Sequence, residues 1–192
     1  MNRTLIVIAL TLLLVPSFAM AGDWTGSDID LSGTIGTGSN ASYLIVDFNS
    51  TSYAFKYLWD APQDVTLKGA DLILALSDDA TGIPGLNVGY DVWPGMGMSV
   101  NTMSYDENAG VGNWPTAWWN YWTGSVGGVQ RYSGEGCSDR EIANGSIDSW
   151  VFTGNENQAP NIPGVPEPSS LLALCSLIGL VGSTKLLRGR RK

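Results

Sequence analysis

Ser42-Tyr43-Leu44-Ile45-Val46-Asp47-Phe48 and, after a polar step at Asn49-Ser50-Thr51-Ser52, Tyr53-Ala54-Phe55-Lys56-Tyr57-Leu58-Trp59 decide the fold. Both runs are rich in aromatic and β-branched or aliphatic residues, and the step between them has turn composition. In the second run Tyr53, Phe55, Tyr57 and Trp59 fall at every other position. A strand repeats every second residue, so it carries those four rings on one face. Two such runs across a short polar turn predict an antiparallel hairpin. Asp60-Ala61-Pro62 ends it, because proline cannot donate to a ladder.

Working outward, Gly22 to Asn40 is rich in Gly, Ser, Thr and Asp and reads as irregular or weakly extended. Lys68 to Ser77, with Ala70 to Leu76 nearly all apolar, reads as the one helix of the body, a buried strand being the competing assignment for so short a run. Leu86–Val92 and Gly97–Tyr105 read as strands around the turn Trp93-Pro94-Gly95, and Asp106–Pro115 as a glycine-rich loop. Ala117–Trp122 is the densest aromatic cluster, Asn144-Gly145 a tight turn, and Ile147–Thr153 the last strand. The predicted class is mostly β (α+β): an antiparallel sheet with one short helix, an N-terminal signal helix and a C-terminal transmembrane helix.

The net charge of −8 over 192 residues hides an asymmetry. Between Gly22 and Val165 stand 17 acidic residues against Lys56, Lys68, Arg131 and Arg140, a net of −13. Such a body repels nucleic acid, which needs a basic footprint, so no nucleic-acid partner is expected. Histidine is absent, which removes histidine bases, triads and metal ligands. Of two cysteines, Cys137 lies in the body and Cys175 in an apolar tail, so no intrachain disulfide is expected; Cys137 reads as a small packing residue without a histidine partner.

The two ends read as targeting segments. Arg3, the apolar run Leu5–Val15 and the small residues Ala19-Met20-Ala21 make a secretory signal peptide, 1–21, cleaved after Ala21 by signal peptidase once the Sec translocon has engaged it. The extracytoplasmic body is then 22–153, and the polar, proline-containing stretch 154–164 reads as a flexible linker. The segment 165–192 has three parts: Val165-Pro166-Glu167-Pro168, an apolar stretch, and Arg188, Arg190, Arg191 and Lys192. The prolines hold the entry extended. Residues 169–187 span about 28 Å as a helix, enough to cross a hydrocarbon core of about 30 Å. Lys185 is placed to snorkel towards the headgroups, and the basic cluster marks the cytoplasmic side.

This tail resembles the PEP-CTERM sorting signal of bacterial envelope proteins. The resemblance implies export, a single-pass membrane intermediate, recognition by an exosortase-type membrane enzyme, cleavage near Pro166-Glu167-Pro168, and then release or transfer to the cell surface. In the body, Trp119-Asn120-Tyr121-Trp122, Gly134-Glu135-Gly136 and the stretch Asn144–Phe152 resemble the end of a transcobalamin-type C-terminal domain. That resemblance implies a β-grasp-like scaffold with one helix, in a group whose members sometimes bind corrinoids.

Three further features bear on chemistry. Trp118, Trp119, Tyr121 and Trp122 are either core or, where exposed, a platform for a sugar or planar ligand. Asp28, Asp30 and Ser32, followed by Gly33, match the first half of a calcium loop, although Ser39 occupies the position of the closing acid. Asp78-Asp79 and Asp106-Glu107-Asn108 are further acidic loop groups; solvated turns are the plainer reading of all three, and no cofactor beyond weakly held Ca²⁺ is expected. Serine-hydrolase and phosphate-loop motifs are absent. The expected function is therefore an exported, non-enzymatic envelope or extracellular-matrix protein, with a surface module for a carbohydrate or corrinoid-type ligand as the alternative.

Overall fold

The computed structural model describes residues 25–60 and 66–165. Ala19, Ala21, Pro166–Pro168, the apolar stretch and the basic cluster lie outside them. Ten elements follow in order: β1 (Leu31–Gly36), β2 (Asn40–Asp47), β3 (Ser52–Trp59), α1 (Gly69–Leu76), β4 (Asn87–Trp93), β5 (Gly97–Tyr105), β6 (Asn108–Val111), β7 (Trp118–Ser125), β8 (Arg131–Tyr132) and β9 (Ser146–Thr153). They build a six-stranded sheet ordered β1-β3-β2-β9-β7-β8 and a three-stranded sheet β4-β5-β6.

The hairpin forms as expected, antiparallel from Asn40 opposite Trp59 to Asp47 opposite Ser52. Alternation then sorts its side chains. Leu44, Val46 and Phe55 join one core with Tyr121, Trp150 and the α1 residues Leu72, Ile73 and Leu76. Tyr43, Ile45 and Ala54 join a second core on the opposite face, with Ile147, Ile29 and Ile162. Both faces of the central strands are covered, so β2 is buried from Ser42 to Asp47 and β9 from Ser146 to Val151.

The sheet is mixed rather than antiparallel. β1 pairs with β3 and β2 pairs with β9 in parallel. Parallel neighbours need long crossovers, and here almost the whole chain between Asp47 and Ser146 separates β2 from β9. The stretch before Asn40, expected to be irregular or weakly extended, contains β1, and the expected loop 106–115 contains β6, which extends the β4–β5 hairpin. Residues 154–164, expected as a flexible linker, are laid with Val165 against the second core, where Ile162 is buried and Val165 packs. Asp30 N–H donates to the Pro163 carbonyl at 3.0 Å.

The helix is placed by its first turn. The Asp71 carboxylate accepts the Lys68 amide at 2.8 Å, while Gly69 and Ala70 donate theirs to the Arg140 and Cys137 carbonyls at 2.9 Å each. Gly69 is required by close approach: a Cβ there would overlap the Asp148 carboxylate and the Tyr121 hydroxyl.

Candidate functional site

The four aromatic residues singled out on β7 do not form an exposed face. Trp119, Tyr121 and Trp122 are buried. Trp119 and Tyr121 point into the helix-side core, where Trp119 meets Phe48 at 5.4 Å and Tyr121 stacks on Trp150 at 4.7 Å. Trp122 lies on the other face against Tyr132, 5.7 Å away. Only Trp118 reaches the surface, tilted against Trp114 at 4.5 Å. Of the two readings, core packing is the one that Trp119, Tyr121 and Trp122 take, which is where adjacent rings on a central strand go when both faces are covered. The exposed tryptophans among the described residues are Trp114, 74% accessible, and Trp93, 51%. Each precedes a proline, a placement that takes the chain out of regular structure and so was a usable signal.

The segments Trp119–Trp122 and Asn144–Phe152 come together: β7 and β9 pair antiparallel with Tyr121 opposite Trp150. Between them and α1 sits a buried polar group. Tyr121 Oη donates to Asp148 Oδ2 at 2.5 Å, and Arg140 Nε lies 3.8 Å from Asp148 Oδ1. Burial pushes the Asp148 carboxyl up to about 6, against the opposing pull of the Tyr121 hydroxyl and the Arg140 charge. Burial, then the Asp148 charge, pushes the Cys137 thiol up to about 11 and raises Tyr121 as well. A thiol shifted that way stays protonated at neutral pH, and Cys137 packs within the helix-side core. With Asp148 and Cys137 each 1% exposed, the cluster organises the core rather than meeting a solute.

Asp28, Asp30 and Ser32 are not arranged as one loop. Asp28 caps a turn, its Oδ2 accepting the Thr25 amide and, at 2.9 Å, the Thr25 hydroxyl. That backbone bond is the main reason its carboxyl sits below the ordinary range. Ile29 between the two aspartates is buried, and Ser32 is already in β1. Asp78 likewise closes its own turn, accepting the Ala80 and Thr81 amides. Among the described residues no three Asp, Glu, Cys or His side chains gather closely enough to hold a metal ion.

An open cleft of about 730 Å³ lies between the β1 edge of the large sheet and the small sheet. Its lining combines Ser32, Tyr53, Asn87, Ser104, Tyr105 and Asp106 with Pro84 and Gly85. Two residues that the sequence marked for separate acidic loops, Ser32 and Asp106, therefore meet in one place. The two tyrosines stand edge to face at 4.8 Å, and Tyr53 is fixed by the Asn108 amide, which donates to its hydroxyl at 2.8 Å. Asp106 turns the chain from β5 to β6 with a left-handed φ of 54°. Hydroxyls, an amide, one carboxylate and two rings can hydrogen-bond and stack on a polyhydroxylated ligand; no lysine or arginine lines the cleft to attract an anion.

The described residues are thus mostly β, two sheets with one short helix, and no helix among them is long and apolar enough to cross a membrane. No protein-family model and no curated protein matches it. A solved structure similar to it is that of "a putative metal binding protein" from Ruminococcus gnavus ATCC 29149. The two share 12% identity over 61% of this chain and 99% of that one, with a TM-score of 0.42. A likeness at that score carries no argument about this chain.

Proposed function

We propose that the chain is an exported, non-enzymatic envelope or extracellular-matrix protein whose body is delivered by the segment 1–21 and sorted through the segment 165–192. The observation that carries this reading is the order of residues from Val165 onward: proline-flanked glutamate, apolar stretch, basic cluster. The acidic surface and the buried, neutral cysteine suit an extracytoplasmic domain. The Sec translocon, signal peptidase, an exosortase-type enzyme and membrane lipid are the partners in this reading.

The test is the intact mass of the protein isolated from its own host. The expected mass lacks residues 1–21 and the residues beyond the Pro166-Glu167-Pro168 region. A mass that retains 169–192 would mean a plain membrane anchor and would end the sorting reading.

A second reading, a surface module for a carbohydrate, is favoured by the tyrosine-lined cleft and no longer by the β7 aromatics. Sugar titration followed by tyrosine fluorescence, with Tyr105→Ala as the control, is expected to show saturable binding that the variant loses. Binding that survives in Tyr105→Ala would place the ligand elsewhere.

A further inference from the structure

Three Asn-x-Ser/Thr triplets stand in the body: Asn40-Ala41-Ser42, Asn49-Ser50-Thr51 and Asn144-Gly145-Ser146. In exported proteins that pattern is the acceptor for N-linked glycans; the amide nitrogen takes the sugar, and the transferring enzyme reads the hydroxyl two residues on. The fold separates the three. Ser42 is fully buried, its Oγ donating to the Ala143 carbonyl at 3.2 Å and accepting the Trp59 indole N–H at 3.0 Å. Ser146 is also buried, and its Oγ accepts the Ala143 amide at 2.8 Å. Neither hydroxyl is open to an enzyme. In the turn from β2 to β3, by contrast, Asn49, Ser50 and Thr51 are all exposed.

The Asn49 side chain is also oriented. Gln158 Oε1 accepts the Thr153 hydroxyl at 2.8 Å, so its Nε2 is the group left to donate, and it does so to Asn49 Oδ1 at 2.6 Å. Asn49 Nδ2 lies across the same planar amide and is turned away from that contact. The turn accounts for an asparagine at 49: its φ of 73° is left-handed, which asparagine tolerates better than most residues. The turn does not account for the threonine at 51. Its carbonyl accepts the Phe48 amide at 2.9 Å, a bond any residue makes, while its hydroxyl has no partner among the described residues.

We propose that Asn49 is the acceptor of an N-linked glycan, added to the folded body after export. The co-reactant is a glycan carried on a polyprenyl diphosphate. The bond from the sugar C1 to the diphosphate oxygen breaks, a bond from C1 to Asn49 Nδ2 forms, and the Nδ2 proton is lost to the departing diphosphate. Oδ1 is untouched, so the Gln158 contact survives and the glycan projects into solvent from the hairpin turn. This inference rests on the export part of the reading above, delivery by the segment 1–21, and is independent of sorting through 165–192.

The experiment isolates the full chain from its own host, digests it, and measures the masses of the peptides that contain Asn40, Asn49 and Asn144. The Asn49 peptide is expected to carry a mass increment made of whole sugar residues, and the other two none. Thr51→Ala is expected to abolish the increment although Asn49 is intact, and Thr51→Ser to keep it. Position 51 is exposed, so the body folds in both variants. An unmodified Asn49 in a chain that has lost residues 1–21 would overturn the glycan and leave export standing. An increment at Asn40 or Asn144, or one at Asn49 that persists in Thr51→Ala, would overturn the assignment made by the fold. A chain that keeps residues 1–21 and carries no glycan would overturn export and glycan together.

Discussion

Asp148 is the residue on which the helix side of the body is centred. It is 1% exposed, and Tyr121 from β7 and Arg140, Glu135 and Cys137 from the loop before β9 are the ionisable groups that act on it or answer to it. Gly69 of α1 presses on it directly. Its carboxyl is raised from 3.8 to about 6, chiefly by burial. The sign of the pH effect is therefore the reverse of a salt-bridged aspartate. The folded state holds the proton more tightly than the unfolded chain, so stability from this group is full below pH 4 and falls as pH rises towards 6. At about 1.4 kcal/mol for each pH unit of the gap, ionisation costs roughly 3 kcal/mol. Asp148→Asn keeps an acceptor for Tyr121 and removes the charge. We predict that chemical denaturation from pH 4 to pH 7 shows a decline in the wild type that the asparagine variant lacks, the two diverging by about that amount at pH 7. Parallel curves would mean that Asp148 is ionised at little cost.

At the scale of elements, Asp47 shows how β2 and the segment 154–165 depend on one side chain. It is 2% exposed, and its two oxygens accept the amides of Asn49, at 2.7 Å, and Asn161, at 2.8 Å. Asp47→Ala leaves both amides without their acceptor. Hydrogen bonds to a charged group are worth about 1.5–3 kcal/mol each, so a loss near 3 kcal/mol is predicted, with faster amide exchange at Asn161 than in the helix. Unchanged exchange at Asn161 would mean that Ile162 alone seats the segment 154–165. None of this was legible from the sequence. Residues 154–164 read as a linker because their Asn, Gly and Pro content has no period, and what holds them is backbone bonding to distant groups. The hairpin was legible because Tyr53, Phe55 and Tyr57 alternate locally, and α1 because Leu72, Ile73 and Leu76 share a face. β1 was not: two of its six residues are glycine, and it is extended only because β3 lies beside it. The cleft drew on four strands and two turns, so no short motif could announce it.

For the molecule as a whole, charge is the dominant fact. A net of −13 between Gly22 and Val165 repels itself, and the structure offers little internal relief. Its ion pairs among the described residues are Lys68–Glu141 at 3.1 Å, where Glu141 is exposed and the pair worth little, and the longer Arg140–Asp148 contact. Salt should therefore stabilise the body. Raising ionic strength from about 0.01 to 0.1 M shortens the screening length from about 30 to 10 Å, within the spacing of charges on a small domain. We predict that the melting temperature rises over that range and then levels. The same experiment separates screening from a specific ion. Asp28 spends its carboxylate on Thr25, and Ser32 faces the cleft, so the residues expected to share a calcium ion point to different tasks. At matched ionic strength Ca²⁺ and Mg²⁺ should thus raise the melting temperature equally. A rise selective for Ca²⁺ at submillimolar concentration, and lost in Asp30→Ala, would instead mean that the 28–32 segment rearranges around the ion. That rearrangement would disturb the segment 154–165 as well, since the Asp30 amide is also the group that holds the Pro163 carbonyl.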